Sequence, residues 1–316
     1  MSERFDVIGD VHGSVAVLEG LLGKLGYRRT GDGPWEHPDR RAVFVGDLVD
    51  RGPGQRRTIE LVRAMVEAGT AFAALGNHEF NAIGYATRRA GGEGHLRERN
   101  RKHFGQHQQF LLEYPVDGDD HADVIDWFRT LPLWLELPGL RVVHACWSDE
   151  HIELLRAEHD GPYLPTGAHL ERLFTKDHPL YEAIDVVLKG PEVLLPDHLH
   201  YRDKDGQLRE KARLMWWTVS HRPTLRDSAV FIPGSTDADG NPHPGFDDTP
   251  IPASAVRPYR DQVPVVVGHY WFDGSLRTLS PSAVCVDYSA VRHGQLVAYR
   301  FDGETSLSHE KMIAFP

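Results

Sequence analysis

Polar side chains suited to metal binding follow five short apolar runs of the sequence. Asp10 and His12 stand two residues apart in a glycine-bounded turn, so an extended backbone can direct both side chains toward one region. Each of the other four runs is followed by one more residue of a metal-ligating type: Asp47, Asn77, His144 and His269. Two carboxylates, one amide oxygen and three imidazoles suit two divalent cations of intermediate hardness. Mn is the first choice, and Fe, Zn, Co, Ni and Mg are the alternatives.

Two such cations would favour phosphoryl chemistry. They carry more charge than the two ligand carboxylates cancel, so the site would be locally positive in a chain whose net charge is −11. Two metals roughly 3.5–4 Å apart can acidify a bridging water and hold the oxygens of an in-line displacement. We therefore expect a site that attracts and polarises a single phosphoryl group.

The apolar runs that precede these residues are predicted to be buried strands. The first three are 5–8, 42–45 and 71–75, and helical patterns follow the first two. The first helix has Ser14 as its expected N-cap, Gly26 as its expected terminator, and leucines at helical spacing between them. Repeated strand–helix alternation predicts a layered α/β fold, and the ends of its strands would bring the polar residues together.

Later strands are predicted at 140–143, 263–267 and 283–286, and a further strand at 295–300 is expected to pair with 283–286. The chain is predicted to be one domain, 1–316, in which 145–268 holds an insertion or cap. Helices are expected near 149–158 and 168–188. The segment 233–258 is dense in Pro, Gly and Asp, which predicts a long loop or flap.

Composition excludes several classes of protein. The excess of acidic residues argues against a broad nucleic-acid-binding face, because nonspecific binding there needs clustered Lys and Arg. Two cysteines against 19 histidines exclude a disulfide scaffold and a four-thiolate metal site. No signal-peptide pattern and no run approaching about 18 apolar residues is present, so we expect a cytoplasmic protein with no membrane partner.

Each motif alone also has a structural interpretation, since Gly-Asp turns are common and a lone histidine is more often packed or solvated. Their joint occurrence in order favours a site. The segments Gly9–Gly13, Gly46–Gly52 and Gly76–Glu79 resemble the calcineurin-like metallophosphoesterases. The GDxVDRG and GNHE forms are similar to the phosphoprotein-phosphatase branch, which includes protein Ser/Thr phosphatases and bacterial diadenosine tetraphosphate hydrolases.

The resemblance implies a four-layer α/β fold, a β-sandwich flanked by helices, with a binuclear metal centre. Asp10, His12 and His269 would hold one metal and Asp47 would bridge. Asn77 and His144 would hold the other metal.

The resemblance also implies roles for residues that are not metal ligands. Arg51 would bind phosphate oxygens, since a planar guanidinium can engage them bidentately. His78 would protonate the leaving oxygen and Asp50 would orient it. A turn salt bridge is the structural alternative for Asp50 and Arg51. For Glu79 a structural role is preferred.

The chain departs from the family pattern at several places. His144 is followed by Ala-Cys-Trp where small residues are usual, and the segment Cys285–Ser289 is closer to the bacterial members than to eukaryotic protein phosphatases. Arg222 and Arg226 are candidates for a second phosphate-binding arginine, with exposed loop arginines as the alternative. The aromatic segments 216–217 and 270–272 could stack on a nucleobase, although core packing is preferred.

We therefore expect a hydrolase that cleaves phosphomonoesters by attack of metal-bound hydroxide. Its partner would be a small phosphorylated substrate or a phosphoprotein. The alternatives are a diadenosine polyphosphate hydrolase and a protein Ser/Thr phosphatase. A noncatalytic phosphate-binding scaffold is the least favoured, because the full set of ligands and catalytic residues is present.

Overall fold

The computed structural model describes residues 3–159, 161–203, 206–218, 223–231, 234–237, 239–252, 255, 258–291 and 294–316. The chain forms two compact units. The first comprises Met1–Leu188 and Asp261–Pro316, and the second comprises Lys189–Arg260. The predicted insertion, 145–268, contains the whole second unit, but its residues up to Leu188 belong to the first. A single-domain organisation stays a prediction.

One sheet of the first unit carries the early motifs. Its parallel strands β1, β2 and β3 pair in that order, and β1 also pairs antiparallel with β13, which in turn pairs with β12 and β14. The strands of this sheet are β1 (Phe5–Ile8), β2 (Arg41–Phe44), β3 (Ala71–Ala73), β12 (Asp287–Tyr288), β13 (Gln295–Phe301) and β14 (Met312–Phe315).

The second sheet of this unit has the order β11-β10-β5-β4, in which β5, β10 and β11 are parallel. Its strands are β4 (Trp134–Leu137), β5 (Leu140–Val143), β10 (Val265–Val267) and β11 (Ala283–Cys285). Alternate residues of both sheets share one apolar core that includes Val7, Val43, Val142, Val266 and Val284. Two faces packed in this way make the predicted β-sandwich.

Helices in this unit arise from apolar residues at helical spacing. In α1 (Val15–Leu25) the four predicted leucines are buried, and Gly26 ends the helix in the left-handed region at φ 99°. Ser14 occupies the N-cap position, but its side chain makes no capping hydrogen bond. The other helices are α2 (Gln55–Glu67), α3 (Asn77–Ala86), α4 (Arg101–Glu113), α5 (Asp119–Arg129), α6 (Asp149–His159), α7 (Gly167–Arg172) and α8 (Pro179–Lys189).

The second unit has short elements around its own apolar cluster. Two-stranded sheets form from β6 with β9 and from β7 with β8, and the cluster includes Tyr201, Leu214, Leu225 and Phe246. The elements are β6 (Glu192–Leu194), β7 (Tyr201–Arg202), β8 (Leu208–Arg209), β9 (Lys211–Arg213) and α9 (Leu225–Ser228). The predicted flap 233–258 lies partly outside the described residues. Its described part between 234 and 252 has no helix or extended strand, as expected for a loop.

One predicted pairing is wrong. The strand at 295–301 pairs with β12, β1 and β14 instead of with 283–285, because the chain crosses from one sheet to the other at Val286. Within the described ranges, no helix combines the length and apolar character needed to cross a bilayer.

Candidate metal and phosphate site

The predicted site residues follow the carboxyl ends of strands in both sheets. Asp10 and His12 lie in the turn after β1, and Asp47 lies after β2. Asn77 and His78 begin α3 after β3. His144 directly follows β5 and His269 follows β10 after one glycine. The fold therefore brings residues that are 259 positions apart into hydrogen-bond contact, since the backbone N–H of His269 donates to both carboxylate oxygens of Asp10 at 3.1 and 3.2 Å.

Asp47 is the centre of this group and is 1% exposed. Its Oδ1 lies 3.3 Å from His144 Nε2, and its Oδ2 lies 3.6 Å from His12 Nε2 and 3.8 Å from His78 Nε2. Burial opposes ionisation, but the neighbouring histidines, His144 foremost, hold the pKa of Asp47 well below its ordinary value. The carboxylate is therefore ionised and surrounded by imidazoles.

Two sets of ligand atoms meet at Asp47. The donor atoms of His12, Asp47 and His78 lie within 4.8 Å of one another, and so do those of Asp47, His144 and His269. Asn77 Oδ1 lies 3.1 Å from His144 Nε2 and so adjoins the second set. The family resemblance predicted His269 in the set of Asp10 and His12. In the structure, its backbone contacts Asp10 whereas its ring joins His144.

Backbone carbonyls fix the orientation of two of the histidine rings. His12 Nδ1 lies 2.7 Å from the carbonyl oxygen of Val49, and His144 Nδ1 lies 2.9 Å from that of Val45. An Nδ1–H donated to a carbonyl directs Nε2 toward Asp47, and loss of any proton on Nε2 would give the arrangement that metal-ligating histidines require. Burial, with Arg51 and His78 nearby, holds the pKa of His12 well below its ordinary value, so this ring is neutral.

Further buried carboxylates lie beside Asp47. Burial, then the charges of Asp287 and Asp47, raise the pKa of Asp10 well above its ordinary value. Asp287 is 2% exposed and accepts the backbone N–H of Trp271 at 2.7 Å. Buried acidic groups held this close to one another need compensating positive charge. No role was predicted for Asp287, although its position directly after the predicted strand 283–286 was a signal.

His78 and Arg51 lie together at the edge of the ligand cluster. His78 Nδ1 lies 2.5 Å from Oδ2 of the buried Asp50, and His78 Nε2 lies 3.5 Å from Arg51 Nη2. The guanidinium of Arg51 stacks on the ring of Trp271, with 3.6 Å between its carbon and the ring centre. An imidazole and a guanidinium therefore sit side by side, and His78 Nε2 lies 3.8 Å from Oδ2 of Asp47.

Glu79 holds the backbone of the two central motifs together. Its Oε1 accepts the N–H groups of Leu48 and Val49, and its Oε2 accepts those of Asp47 and Gly76, at 2.8–3.2 Å. Burial, and the charge of Asp47, raise the pKa of Glu79 to about 7. This agrees with the structural role that the sequence suggested.

The turns that carry the site are conformationally strained. Among the described residues, nine non-glycine residues have positive φ, and six of them belong to the site. Such conformations cost about 1–3 kcal/mol each and cluster at functional sites. A Cβ at Gly46 would lie 2.4 Å from the backbone nitrogen of Gly76, so close approach of the two motif turns requires glycine there. The six residues are His12, Asp47, Asp50, Arg51, His269 and Trp271.

Arg226 and the pair 216–217 fall within the second unit, Lys189–Arg260. Arg226 belongs to α9 of the second unit, where its Nε lies 2.8 Å from Asp248 Oδ1. Arg222 lies outside the described residues. Trp216 and Trp217 are buried and pack edge to face, as core aromatics do.

Comparisons with known proteins agree with the motifs. A family model described as calcineurin-like phosphoesterase matches residues 3–225. The asymmetrical bis(5'-nucleosyl)-tetraphosphatase PrpE of Halalkalibacterium halodurans is 50% identical over 76 residues, which are 24% of this chain and 30% of that protein. The protein of the same description from Oceanobacillus iheyensis is 46% identical over 76 residues, again 24% and 30%. The match thus spans less than a third of the length of these curated relatives.

The chain is also similar to two solved structures at low sequence identity. A putative diadenosine tetraphosphatase superposes with a TM-score of 0.48 and 18% identity, covering 100% of this chain and 94% of that one. The cold-active protein-tyrosine phosphatase of a psychrophilic Shewanella species has a TM-score of 0.48 and 15% identity, with 100% and 81% covered.

Proposed function

The chain belongs to the calcineurin-like phosphoesterase family, and we propose that it is a metal-dependent hydrolase that cleaves phosphomonoesters. The observation that carries the proposal is the position of His78 and Arg51 beside the ligand cluster centred on Asp47. A phosphoryl group there would meet an anion-binding guanidinium, a proton donor and the cluster at once.

The residues fit a pair of divalent cations. His12 Nε2 is buried and has no hydrogen-bond partner among the described residues, and it faces Asp47. We assign Asp10, His12 and Asp47 to one ion, and Asp47, Asn77, His144 and His269 to the other. When bound, the ions would acidify a water and neutralise charge on the phosphoryl oxygens. The mixed oxygen and imidazole set favours Mn, with Fe, Zn, Co, Ni and Mg as alternatives.

Side chains of the protein would bind the phosphoryl group and protonate the leaving oxygen. Arg51 would hold phosphoryl oxygens through its guanidinium fork, and Trp271 keeps that fork in place. His78 Nε2 would give its proton to the leaving oxygen. Asp50 holds the opposite side of the ring and stabilises the imidazolium form before that transfer. We assign His78 the acid role that the family motif implies. Its ring, held at Nδ1 by Asp50, would also suit a metal ligand, and the metal content of His78→Asn separates the two roles.

A second candidate is a phosphoanhydride substrate of the dinucleoside polyphosphate class. The two PrpE proteins described above are named for such an activity. In this chain, the half-buried Trp271 stacks on the phosphate-binding Arg51, so an aromatic ring stands where a base could approach. A phosphoprotein substrate would need no such ring.

A panel of substrates separates these functions. The metal-reconstituted chain is assayed with an aryl phosphomonoester, an aryl phosphodiester, a phosphoserine peptide and diadenosine tetraphosphate at matched concentrations. We expect the highest kcat/KM for the monoester. A strong preference for diadenosine tetraphosphate would replace this proposal with the second candidate. Absence of turnover with all four, in a protein that binds metal, would favour a noncatalytic phosphate-binding role.

A further inference from the structure

A second histidine faces the carboxylate that holds His78. His107 lies on α4, is 1% exposed, and places its Nδ1 2.8 Å from Oδ2 of Asp50. The same oxygen lies 2.5 Å from His78 Nδ1. His107 belongs to none of the sequence motifs, and the mechanism above does not use it. Asp50 therefore stands between two imidazoles, one beside the metal ligands and one on the far side.

The ionisation of Asp50 determines whether the facing Nδ1 atoms of His78 and His107 carry protons. Asp50 is fully buried, which disfavours its charge, but His107 and His78 together hold its pKa well below the ordinary value. An ionised carboxylate can only accept hydrogen bonds, so each Nδ1 that faces it carries a proton. His107 Nε2 is buried without a hydrogen-bond partner in the described part of the chain.

The contact between His107 and Asp50 is short, but it does not have the angle of a good hydrogen bond. Catalytic hydrogen bonds are often poorly aligned before the substrate is bound. At this distance, the Nδ1–H dipole still restrains the charged carboxylate. The contact therefore limits the directions that the carboxylate can take.

Asp50 needs such a restraint from a group other than His78. Its backbone is in the left-handed region at φ 70°, and its Oδ1 is buried with no hydrogen-bond partner among the described residues. The backbone N–H is fixed by Gln55 Oε1 at 2.7 Å, but that contact leaves the carboxylate free to rotate. His78 would give up its Nε2 proton in the reaction and keep its Nδ1–H, so its hydrogen bond to Asp50 would weaken as the ring becomes neutral. His107 takes no part in that proton transfer.

Helix α4 is anchored to the segment that follows Asp50. The carboxylate of Glu113, on the same helix as His107, accepts the N–H groups of Gln55 and Arg56 at 2.9 and 2.8 Å. These are the first residues of α2, whose unpaired N–H groups need acceptors. The His107 ring also packs edge to face on Tyr85 at 5.7 Å. His107 is therefore presented to Asp50 by a fixed scaffold.

We propose that His107 is a positioning residue that holds the Asp50 carboxylate in line with His78 Nδ1. The inference rests on the proposed function, because its catalytic consequence depends on His78 donating a proton to the leaving oxygen. His107 touches neither the ligand cluster nor Arg51 in any described contact. Its effect must therefore pass through Asp50 and His78.

Three substitutions at one position separate a positioning role from a merely structural one. The side-chain nitrogen of Asn falls near the place of His Nδ1, whereas that of Gln falls near Nε2, and Leu offers no donor. We expect His107→Asn to keep kcat close to the wild type. We expect His107→Gln and His107→Leu to lower kcat about 10–100-fold, as the loss of outer partners of functional histidines does, with little change in KM.

The leaving group provides the decisive readout. An alkyl phosphate needs its leaving oxygen protonated, whereas dinitrophenolate leaves without a proton. The loss in His107→Leu and His107→Gln should therefore appear with the alkyl phosphate and nearly vanish with dinitrophenyl phosphate. In the Asp50→Asn background, His107→Leu should add no further loss, because residues that act through a shared partner are not additive. Equal losses with both substrates, or a full additional loss in that background, would overturn the proposal.

The hydrogen bond between His78 and Asp50 can also be observed without any catalytic turnover, so the positioning role of His107 is tested independently of the proposed function. In the Zn²⁺-reconstituted protein, the proton between His78 and Asp50 is followed by proton NMR as a downfield resonance, identified by its absence in His78→Asn. It should shift or broaden in His107→Leu and His107→Gln and return in His107→Asn. An unchanged resonance in all three variants would contradict the inference, even if no phosphate substrate is turned over.

Discussion

The guanidinium carbon of Arg51 lies 3.6 Å from the centre of the Trp271 ring. The arginine follows Asp50 in the turn after β2, and the tryptophan follows His269 in the turn after β10, so the contact joins the two sheets of the sandwich at the site. A guanidinium held in this way loses less freedom when it binds an anion, since its orientation is already set.

Removing the ring should therefore weaken substrate binding. Trp271→Leu is expected to raise KM for a phosphomonoester up to about tenfold with a smaller effect on kcat, since a cation–π contact contributes roughly 0.5–2 kcal/mol. Trp271→Phe should keep most of the affinity. Steady-state kinetics measure both. Trp35→Leu is the matched control, because Trp35 also lies under an arginine, Arg29 at 5.6 Å, but outside the ligand cluster. An equal rise of KM in both leucine variants would contradict the role of Trp271.

Loss of the proton donor should lower kcat and leave metal binding intact. His78→Asn is expected to reduce kcat for a substrate with a poor leaving group by about 10²–10⁴-fold, the usual contribution of a general acid. His169→Asn serves as control, since that side chain is half exposed on α7. If His78→Asn instead lost bound metal, as measured by elemental analysis, His78 would be a ligand and not the acid.

The sequence predicted the part of this site that lies in continuous motifs. Asp10, Asp47, Asn77 and His144 follow strands whose apolar runs are legible, so both their elements and their meeting point could be inferred. His107 could not be found, because its helix carries no motif and its contact with Asp50 joins positions 57 apart. The sequence also missed the crossing between sheets at Val286, since a local pattern shows a strand but not its partner.

Neutralising the residue that holds the motif turns together should destabilise the fold. In Glu79→Gln, an amide NH₂ would face two of the four backbone N–H donors that the carboxylate accepts. Each buried donor left unsatisfied costs about 1–3 kcal/mol. Urea unfolding of the metal-free protein should show this loss of unfolding free energy. The exposed Glu60→Gln on α2 should change it by less than about 0.5 kcal/mol. Equal stability of the two variants would refute the role of Glu79.

The ion pairs of Asp302 with Arg40 and Lys311 should make the free energy of unfolding depend on pH. Burial works against the charge of Asp302, but hydrogen bonds from Arg40 at 2.5 Å and Lys311 at 3.0 Å leave its pKa below the ordinary value. A depressed folded pKa gives stability that is present above the unfolded pKa and is lost as pH falls through the folded pKa. Asp302→Asn should therefore be less stable than wild type near neutral pH and equal to it in strong acid.

Denaturant unfolding with chelator at each pH measures this difference. Asp126→Asn is the control, because Asp126 is exposed and its ion pair with Arg129 is 3.8 Å long. If the free energies of unfolding of Asp302→Asn and wild type differ by the same amount at every acid pH, the charge of Asp302 does not stabilise the fold.

We propose that Asp47 is shared by the two sets of metal ligands in a phosphoesterase site. The most direct measurement is metal content together with orthophosphate release after reconstitution with Mn²⁺, for the wild type and Asp47→Asn. We expect about two ions per chain, as in two-metal hydrolytic sites, and release of orthophosphate from a phosphomonoester. We expect Asp47→Asn to lose both ions and turnover. A wild type that binds no metal, or an Asp47→Asn protein that keeps both ions and full turnover, would contradict it.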